Sequence, residues 1–303
     1  MQAVNYFKSL ADETRLRILN LLAAHELNVN EIVSVMGMGQ SRISRHLKIL
    51  SDCGFVHARR DGLWVFYSVT DEHENHDLVR HVIDFLRADP EFRHDLDELE
   101  QALAIAAQEK KHFFNSIAPK LEAIKDEMTG GIDLAEEIIS RIQDCGTAAD
   151  LGCGTGGLLQ RLTERAERVI GVDSSPVMLE EARRRLSGNS AIELRIGELE
   201  HLPMRDSEID AAVINMVLHY VQSPPNAIEE ASRVLRSGGS FIAVDFAKHS
   251  NETMREKYGH RWLGFPEADM KRMMAAAGLK YTKTESFEIR DDLKVNMFLA
   301  VRE

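Results

Sequence analysis

The chain has 303 residues, of which 44% are hydrophobic and 28% charged, and a formal net charge of −12. That length allows about two domains, each with its own core. There is no run of eighteen apolar residues, and Met1-Gln2-Ala3-Val4-Asn5-Tyr6-Phe7-Lys8 reads as neither a signal nor a transit peptide, so a cytoplasmic protein with no membrane partner is expected.

Cys53, Cys145 and Cys153 show no C-x-x-C spacing and are too few to staple a chain this size, which fits small buried hydrophobes in a reducing compartment. The charge is unevenly spread. Residues 1–70 hold eight Lys/Arg against six Asp/Glu, a net of +2, which leaves −14 for the remainder. A small basic module on an acidic body points to a polyanion partner for the first part only.

Asp12-Glu13-Thr14 precedes the apolar stripe Arg15-Leu16-Arg17-Ile18-Leu19-Asn20-Leu21-Leu22, a capped helix start. Asn30 to Met36 reads as a short second helix stopping at Gly37. In the third, Gln40 to Leu50, Ile43, Leu47 and Leu50 share one face, and Ser41, Ser44, Arg45 and Lys48 share another. Phe55 to Arg60 and Leu63 to Val69 then flank Asp61-Gly62, a strong hairpin signal. The expectation for residues 1–88 is a winged helix-turn-helix that meets double-stranded DNA through Gln40, Ser41, Arg42, Ser44 and Arg45, with Arg59 and Arg60 at phosphates. His46 reads as a packed or hydrogen-bonded helix residue.

Leu10 to Leu19 and Ser41 to Leu50 resemble the ArsR-type bacterial repressors. The resemblance implies a homodimer whose recognition helices enter successive major grooves, about 34–36 Å apart. Many such repressors sense metal through paired cysteines. Here the matching stretch, Glu26 to Glu31, carries asparagines, which disfavours a soft metal. Asp71, His73, His76 and His81 lack a zinc-like spacing, so no metal is expected.

Residues 89–130 read as a helical connector. Asp89-Pro90 breaks the preceding helix, and Leu96, Leu99, Leu103 and Ala106 recur at coiled-coil-like spacing. Packing on the second domain and packing across a dimer both remain open for this stripe. Phe113-Phe114-Asn115-Ser116-Ile117-Ala118-Pro119 resembles the helix that precedes many class I methyltransferase cores and folds over the cofactor. Gly130-Gly131 marks the entry to the last domain, 131–303.

That domain is organised around Ala148-Ala149-Asp150-Leu151-Gly152-Cys153-Gly154-Thr155-Gly156-Gly157 and around Val169-Ile170-Gly171-Val172 with Asp173 at its end. A strand breaking into glycines and resuming at Leu158 to Leu162 reads as strand, tight loop and helix, a nucleoside site. Gly152, Gly154 and Gly157 formally satisfy the dinucleotide G-x-G-x-x-G, so spacing alone leaves two ligand families. Asp150 separates them, because a carboxylate before the loop suits an ammonium and gains nothing beside a pyrophosphate. The stretch resembles motif I of the class I S-adenosylmethionine-dependent methyltransferases, whose fold is α/β with a seven-stranded Rossmann-like sheet.

The same family resemblance extends over Asp173 to Leu179, over Gly197-Glu198-Leu199-Glu200, and over Arg233-Val234-Leu235-Arg236-Ser237-Gly238-Gly239 with Ser237 in place of proline, where Ala231 to Gly239 reads as closing a helix before Ser240 to Asp245. Implied for the cofactor are Asp150, Gly152, Cys153, Gly154, Asp173, Ser174, Met178, Glu198, Leu199 and Asn215, with Asp173 on the ribose hydroxyls and Glu198 near the adenine amine. Asp210 to Asn215 reads as a strand. His219 and Tyr220 follow it, where open α/β sheets place their chemistry. Candidates for acting on a substrate are His219, Tyr220, His249, Tyr258 and His260, though a structural role for each weighs more. The cysteine count argues against arsenite as substrate.

As a whole the chain resembles bacterial fusions of an ArsR-type repressor with a methyltransferase domain, some of which respond to S-adenosylhomocysteine. Two functions follow from that resemblance: a homodimeric regulator sensing S-adenosylhomocysteine or S-adenosylmethionine, and a working small-molecule methyltransferase that DNA binding localises. A nicotinamide oxidoreductase ranks last, since Asp150 and Gly197-Glu198 have no role in one.

Overall fold

The computed structural model describes residues 2–70, 76–118, 131–289 and 293–303. Contacts divide the chain into two compact units, Met1–Glu109 and Lys110–Glu303.

In the first unit, α1 spans Gln2–Leu10 and α2 Glu13–Ala24, the latter capped by the Asp12 carboxylate accepting from Arg15 N–H at 3.0 Å. After the short strand β1 (Leu27–Asn28), α3 runs Val29–Met36. It opens on a capping box, with Asn28 Oδ1 accepting from Glu31 N–H and Glu31 returning to Asn28 N–H, and ends on Gly37 at φ 60°. α4 is Gln40–Asp52, and Ile43, Leu47 and Leu50 are buried along it. β2 (Val56–Asp61) and β3 (Trp64–Val69) form the hairpin, pairing Val56 with Val69 and Asp61 with Trp64, and β1 adds to the free side of β3.

Two helices complete this unit: α5 (His76–Leu86) and α6 (Pro90–Ile117), with Pro90 as the first helical residue, where its missing N–H costs nothing. Of the two partners open for the leucine stripe of α6, the fold adds a third. Leu99 is part of the first unit's own core, and Leu96 and Leu103 pack against it. Arg17 makes a bidentate pair with the buried Asp95, and Asn20 Nδ2 donates to the Phe92 carbonyl, fastening α2 to α6. The compact unit therefore extends to Glu109, past the expected boundary at 88, because the small core formed by α2 to α5 needs the extra apolar face.

The second unit contains α7 (Leu134–Ile139), β4 (Cys145–Leu151), α8 (Leu159–Leu162), β5 (Ala166–Asp173), α9 (Pro176–Arg185), β6 (Ile192–Ile196) and β7 (Ile209–Asn215). After a 3-10 turn at Leu218–Tyr220 come α10 (Pro224–Val234), β8 (Leu235–Phe246), α11 (Thr253–Tyr258), α12 (Glu267–Ala276), β9 (Leu279–Glu288) and β10 (Lys294–Arg302). The sheet order is β6-β5-β4-β7-β8-β10-β9, parallel except for β10 against both its neighbours. Two buried clusters make up the core, one holding Leu151, Ile170 and Ile214 and the other Val169, Val213 and Val244, as a sheet covered on both faces requires.

One local expectation is corrected. The element after Ala231 is not helical up to Gly239: α10 stops at Val234, and Leu235 to Gly239 already belongs to β8. The helix expected over Leu158 to Leu162 is present as Leu159–Leu162, with Leu158 at its N-cap. Gly130 lies outside the described residues. Within them, no helix is long and apolar enough to cross a membrane.

Candidate functional site

In the first unit, the buried stripe of α4 turns the opposite face outward: Gln40, Ser41, Arg42, Ser44, Arg45 and Lys48 are all exposed. Among the described residues Arg42 and Arg45 make no ion pair, so two guanidinium groups stand on one helix face with nothing to neutralise them. Arg60 is also exposed, its Nε donating to the Gly62 carbonyl at the hairpin tip.

Arg59 sits differently. Its guanidinium forks onto the Glu26 carboxylate at 2.9 and 3.0 Å, reaches the fully buried Asp61 at 3.1 Å, and lies over the Phe66 ring at 4.9 Å. The alternation of a strand explains the split, since neighbouring arginines point to opposite faces. His46 lies 3.7 Å from the Asp12 carboxylate, and burial pulls its pKa down. His81 Nδ1 lies 2.5 Å from the Asp77 carbonyl oxygen. Asp71, His73 and the side chain of His76 lie outside the described residues, and among those described no three His, Cys, Asp or Glu side chains converge as metal ligands.

The second unit brings Asp150, Asp173, Asn215 and Asp245 to the carboxyl ends of four adjacent parallel strands, β4, β5, β7 and β8. The strand order reverses between β4 and β7, and a crevice opens outside the sheet at such a point. The loop after β4 has positive φ at Gly152 (87°), Gly154 (54°) and Gly156 (81°). The third required glycine is therefore Gly156, not the Gly157 of the dinucleotide pattern. A Cβ on Gly156 would stand 2.9 Å from Leu186, and one on Gly152 2.8 Å from Val217.

The loop also spends its donors internally. Gly152 and Cys153 N–H donate to the Val172 carbonyl, Gly156 N–H to the Cys153 carbonyl, and Gly154 N–H to Asp173 Oδ2. A pyrophosphate would find few amides left to meet it, which weighs against a dinucleotide.

Asp173 is half-buried and held from both sides, Oδ2 by Gly154 N–H at 2.9 Å and Oδ1 by Ser175 N–H at 2.8 Å. Its carboxylate is thus fixed at the strand end. Asn215 Oδ1 is buried with no hydrogen-bond partner, a deficit that a ligand donor would correct. Asp150 and Met178 are buried, as is Cys153, whose Sγ lies 3.8 Å from the Gly154 carbonyl oxygen. Ser174 is half-buried, Glu198 is exposed at a bridge with His201, and Leu199 is buried beside it.

Sequence reasoning missed two contributors. Asn115, at the end of α6, has its Oδ1 2.7 Å from Ser175 Oγ, so the segment flagged by Phe113 and Phe114 reaches the cap of α9; the two phenylalanine side chains lie outside the described residues. Met216 adopts φ 56°, a left-handed conformation costly for its side chain, and this strained turn aims Val217 at Gly152.

Beyond that turn, His219 is buried and its Nδ1 lies 2.8 Å from Asp245 Oδ1. Asp245 also accepts from the N–H groups of Phe246 and His219. Burial pushes the Asp245 carboxyl up to about 7 and the Tyr220 phenol above its usual range. His260 stacks on His219 with ring centroids 4.0 Å apart, and N–H groups of Arg261 and Trp262 donate to the His219 carbonyl. Both ring nitrogens of His260 are buried and unpartnered, and burial drives its pKa far down. Asp245 was legible only as the last polar residue of a strand; its partner is 26 residues away.

Residues 149–243 match the family described as "Methyltransferase domain", and residues 12–58 match "Bacterial regulatory protein, arsR family". An uncharacterised 37.1 kDa protein in transposon TN4556 of Streptomyces fradiae is 44% identical over 99 residues, 32% of this chain and 29% of that one. The chain thus spans about a third or less of the length of the first curated relatives it matches. A 2-phytyl-1,4-naphtoquinone methyltransferase of Nostoc punctiforme is 32% identical over 157 residues, 48% of this chain and 68% of that one. Among solved structures, a geranyl diphosphate C-methyltransferase from Streptomyces coelicolor, in complex with Mg2+, geranyl-S-thiolodiphosphate and S-adenosyl-L-homocysteine, superposes with a TM-score of 0.51 at 17% identity. It covers 56% of this chain and 75% of its own, a likeness that shows the fold alone.

Proposed function

This chain belongs to the class I S-adenosylmethionine-dependent methyltransferases and carries an ArsR-type winged-helix module ahead of that domain; from that premise we propose that it is a DNA-binding transcriptional regulator, a homodimeric repressor, whose sensor is the methyltransferase domain. The observation that carries the reading is the pair of unneutralised guanidinium groups, Arg42 and Arg45, on a helix otherwise packed into a winged-helix core. With Arg60 at the wing tip they match a major groove and its flanking phosphates. Exposed Val4 and Phe7 on α1 and Phe85 on α5 supply apolar surface for a second copy of the chain.

The ligand of the second unit is S-adenosylmethionine or S-adenosylhomocysteine. Asp173 receives both ribose hydroxyls on a carboxylate already oriented by two amides, Asp150 faces the amino-acid ammonium across the loop, and Asn215 Oδ1 gains the donor it lacks. Ligand state reaches the DNA reader through α6, a continuous helix that contributes leucines to the winged-helix core and Asn115 to the cap of α9. A coupling of about 1–3 kcal/mol changes operator affinity roughly 5–150-fold. The expectation is that S-adenosylhomocysteine releases the dimer from its operator more strongly than S-adenosylmethionine does. Operator affinity of the full chain, measured at one salt concentration without ligand and with each nucleoside, tests this; three equal affinities overturn the sensor.

One observation favours a second reading, the working methyltransferase. S-adenosylmethionine supplies a methyl group on a sulfonium that is its own leaving group, so the protein need only align the acceptor and take its proton. A carboxylate accepting from Nδ1–H leaves Nε2 of His219 as the basic nitrogen, and Asp245 stabilises the imidazolium that proton transfer would form. Turnover of labelled methyl onto a small molecule, lost in His219→Ala while nucleoside binding persists, identifies the enzyme.

A further inference from the structure

A sensor that answers differently to two nucleosides must make different contacts with them. The two differ at one atom, a sulfonium carrying a methyl and a positive charge in one, a neutral thioether in the other. No shape difference larger than that methyl is on offer, so the electrostatic difference is the larger signal.

A titratable pair stands within its reach. Asp245 is fully buried at the end of β8, two strands from the glycine loop at the end of β4, which places it about 10 Å from that loop at the usual interstrand spacing. His219 lies closer, on the turn after the intervening strand, and Val217 of that turn packs against Gly152. Several titratable and charged groups face the pair. His260 stacks on His219, Tyr220 sits at 4.1 Å between ring centroids, and His249 and Tyr258 stand behind Phe246 and His260. Arg255 is engaged by Glu252, the N-cap residue of its own helix, and Arg261, whose backbone N–H donates to the His219 carbonyl, is a further charged neighbour.

His260 is the second, independent sign. A buried imidazole with both nitrogens unpartnered is expensive to keep, and burial drives its pKa down while the Asp245 carboxylate beside it pulls the other way.

We propose that the Asp245–His219 pair tells the sulfonium nucleoside from its neutral thioether, giving up a proton to solvent when the cation binds and keeping it when the thioether binds. The inference rests on the nucleoside reading of the glycine loop. The pair is neutral when it holds its dissociable proton, whichever partner carries it, and has charge −1 without it. A cation favours the −1 form. Binding S-adenosylmethionine thus lowers the pair's proton affinity, and by linkage the affinity for S-adenosylmethionine rises with pH across the neutral range where a carboxyl raised to about 7 titrates. S-adenosylhomocysteine brings no such charge and shows no such slope. At 10 Å and an effective dielectric near 20 the interaction corresponds to about a tenfold change in relative affinity.

Calorimetric titration of the full chain, at pH 6, 7 and 8 and in phosphate and Tris buffers of different ionisation enthalpy, counts the protons. The expected result is about half a proton more released per S-adenosylmethionine than per S-adenosylhomocysteine at pH 7, with the affinity ratio shifting about tenfold toward the sulfonium from pH 6 to 8. Asp245→Asn removes both effects. Because that residue also holds two backbone amides, sinefungin on the unaltered protein is the companion measurement: its amine stands in for the sulfonium and must release the same proton. Equal proton counts and parallel pH slopes for all three ligands overturn the proposal while leaving the nucleoside site intact. If none of the three binds, the site itself is wrong, and the inference falls with it.

Discussion

The arginines on the outward face of α4 and several of those in the second unit lead opposite lives. In the second unit four are neutralised where they stand: Arg195 by Glu193 and Glu208, Arg233 by Glu230 and Asp206, Arg236 by Asp210, and Arg141 by Glu137 and Glu285. Glu208 is held down to about 2 by the Arg195 guanidinium beside it. On the outward face of α4, Arg42 and Arg45 have no carboxylate among the described residues. The difference teaches that net charge is a poor guide to what a surface binds. What counts is whether a cation has already been answered by its own fold, since only an unanswered one releases counterions from DNA.

The largest effect expected from this contrast is on the unanswered side. Arg42→Ala, Arg45→Ala and Arg60→Ala together should weaken operator binding by more than a hundredfold, at about 1–3 kcal/mol for a base contact and less for each phosphate, and flatten its salt dependence. Fluorescence anisotropy across a salt series reads both, and unchanged affinity would remove α4 from the DNA interface.

In the second unit, where charge is spent on architecture, the ligand should depend on a carboxylate. Asp173→Ala is expected to lower nucleoside affinity more than tenfold, because two ribose hydroxyls lose their acceptor and Gly154 and Ser175 lose their anchor. Calorimetry checks it, and wild-type affinity would show the ribose to lie elsewhere.

Arg59 belongs with the neutralised arginines although the sequence grouped it with Arg60. Arg59→Ala should act mainly on stability, costing about 1–3 kcal/mol by stranding the buried Asp61, with a smaller direct effect on DNA. Thermal unfolding of the free chain separates the two, and an unchanged melting temperature with lost DNA binding would return Arg59 to the interface.

The smallest effect is expected for Arg236→Ala. Its guanidinium is exposed but paired with Asp210, and exposed pairs contribute about 0–1 kcal/mol. Operator affinity should not move, and a clear loss would mean that DNA also contacts the second unit.

By itself the sequence determined much that depends on local periodicity and on the commonest turn and cap signals. It marked Asp12 as a cap, Gly37 as a helix stop, Asp61-Gly62 as a hairpin, and the glycines and Asp173 at strand ends, because these are choices each short segment makes alone. The helical period of α4 also separated its packed from its open face before any partner was known.

Only the tertiary structure decided which distant groups meet. The leucines of α6 read as a stripe in search of a partner, and that partner proved to be the core formed by α2 to α5. Arg59 and Arg60 look alike in the chain, yet Glu26, far off in sequence, engages one of them. The requirement for Gly156 in place of Gly157 came from how the loop folds onto Val172 and Leu186. Asp245 met His219 because neighbouring parallel strands end side by side, and His260 joined them through backbone bonds from Arg261 and Trp262. Pattern is a property of a segment, whereas burial and charge pairing are properties of what the rest of the fold lays against it.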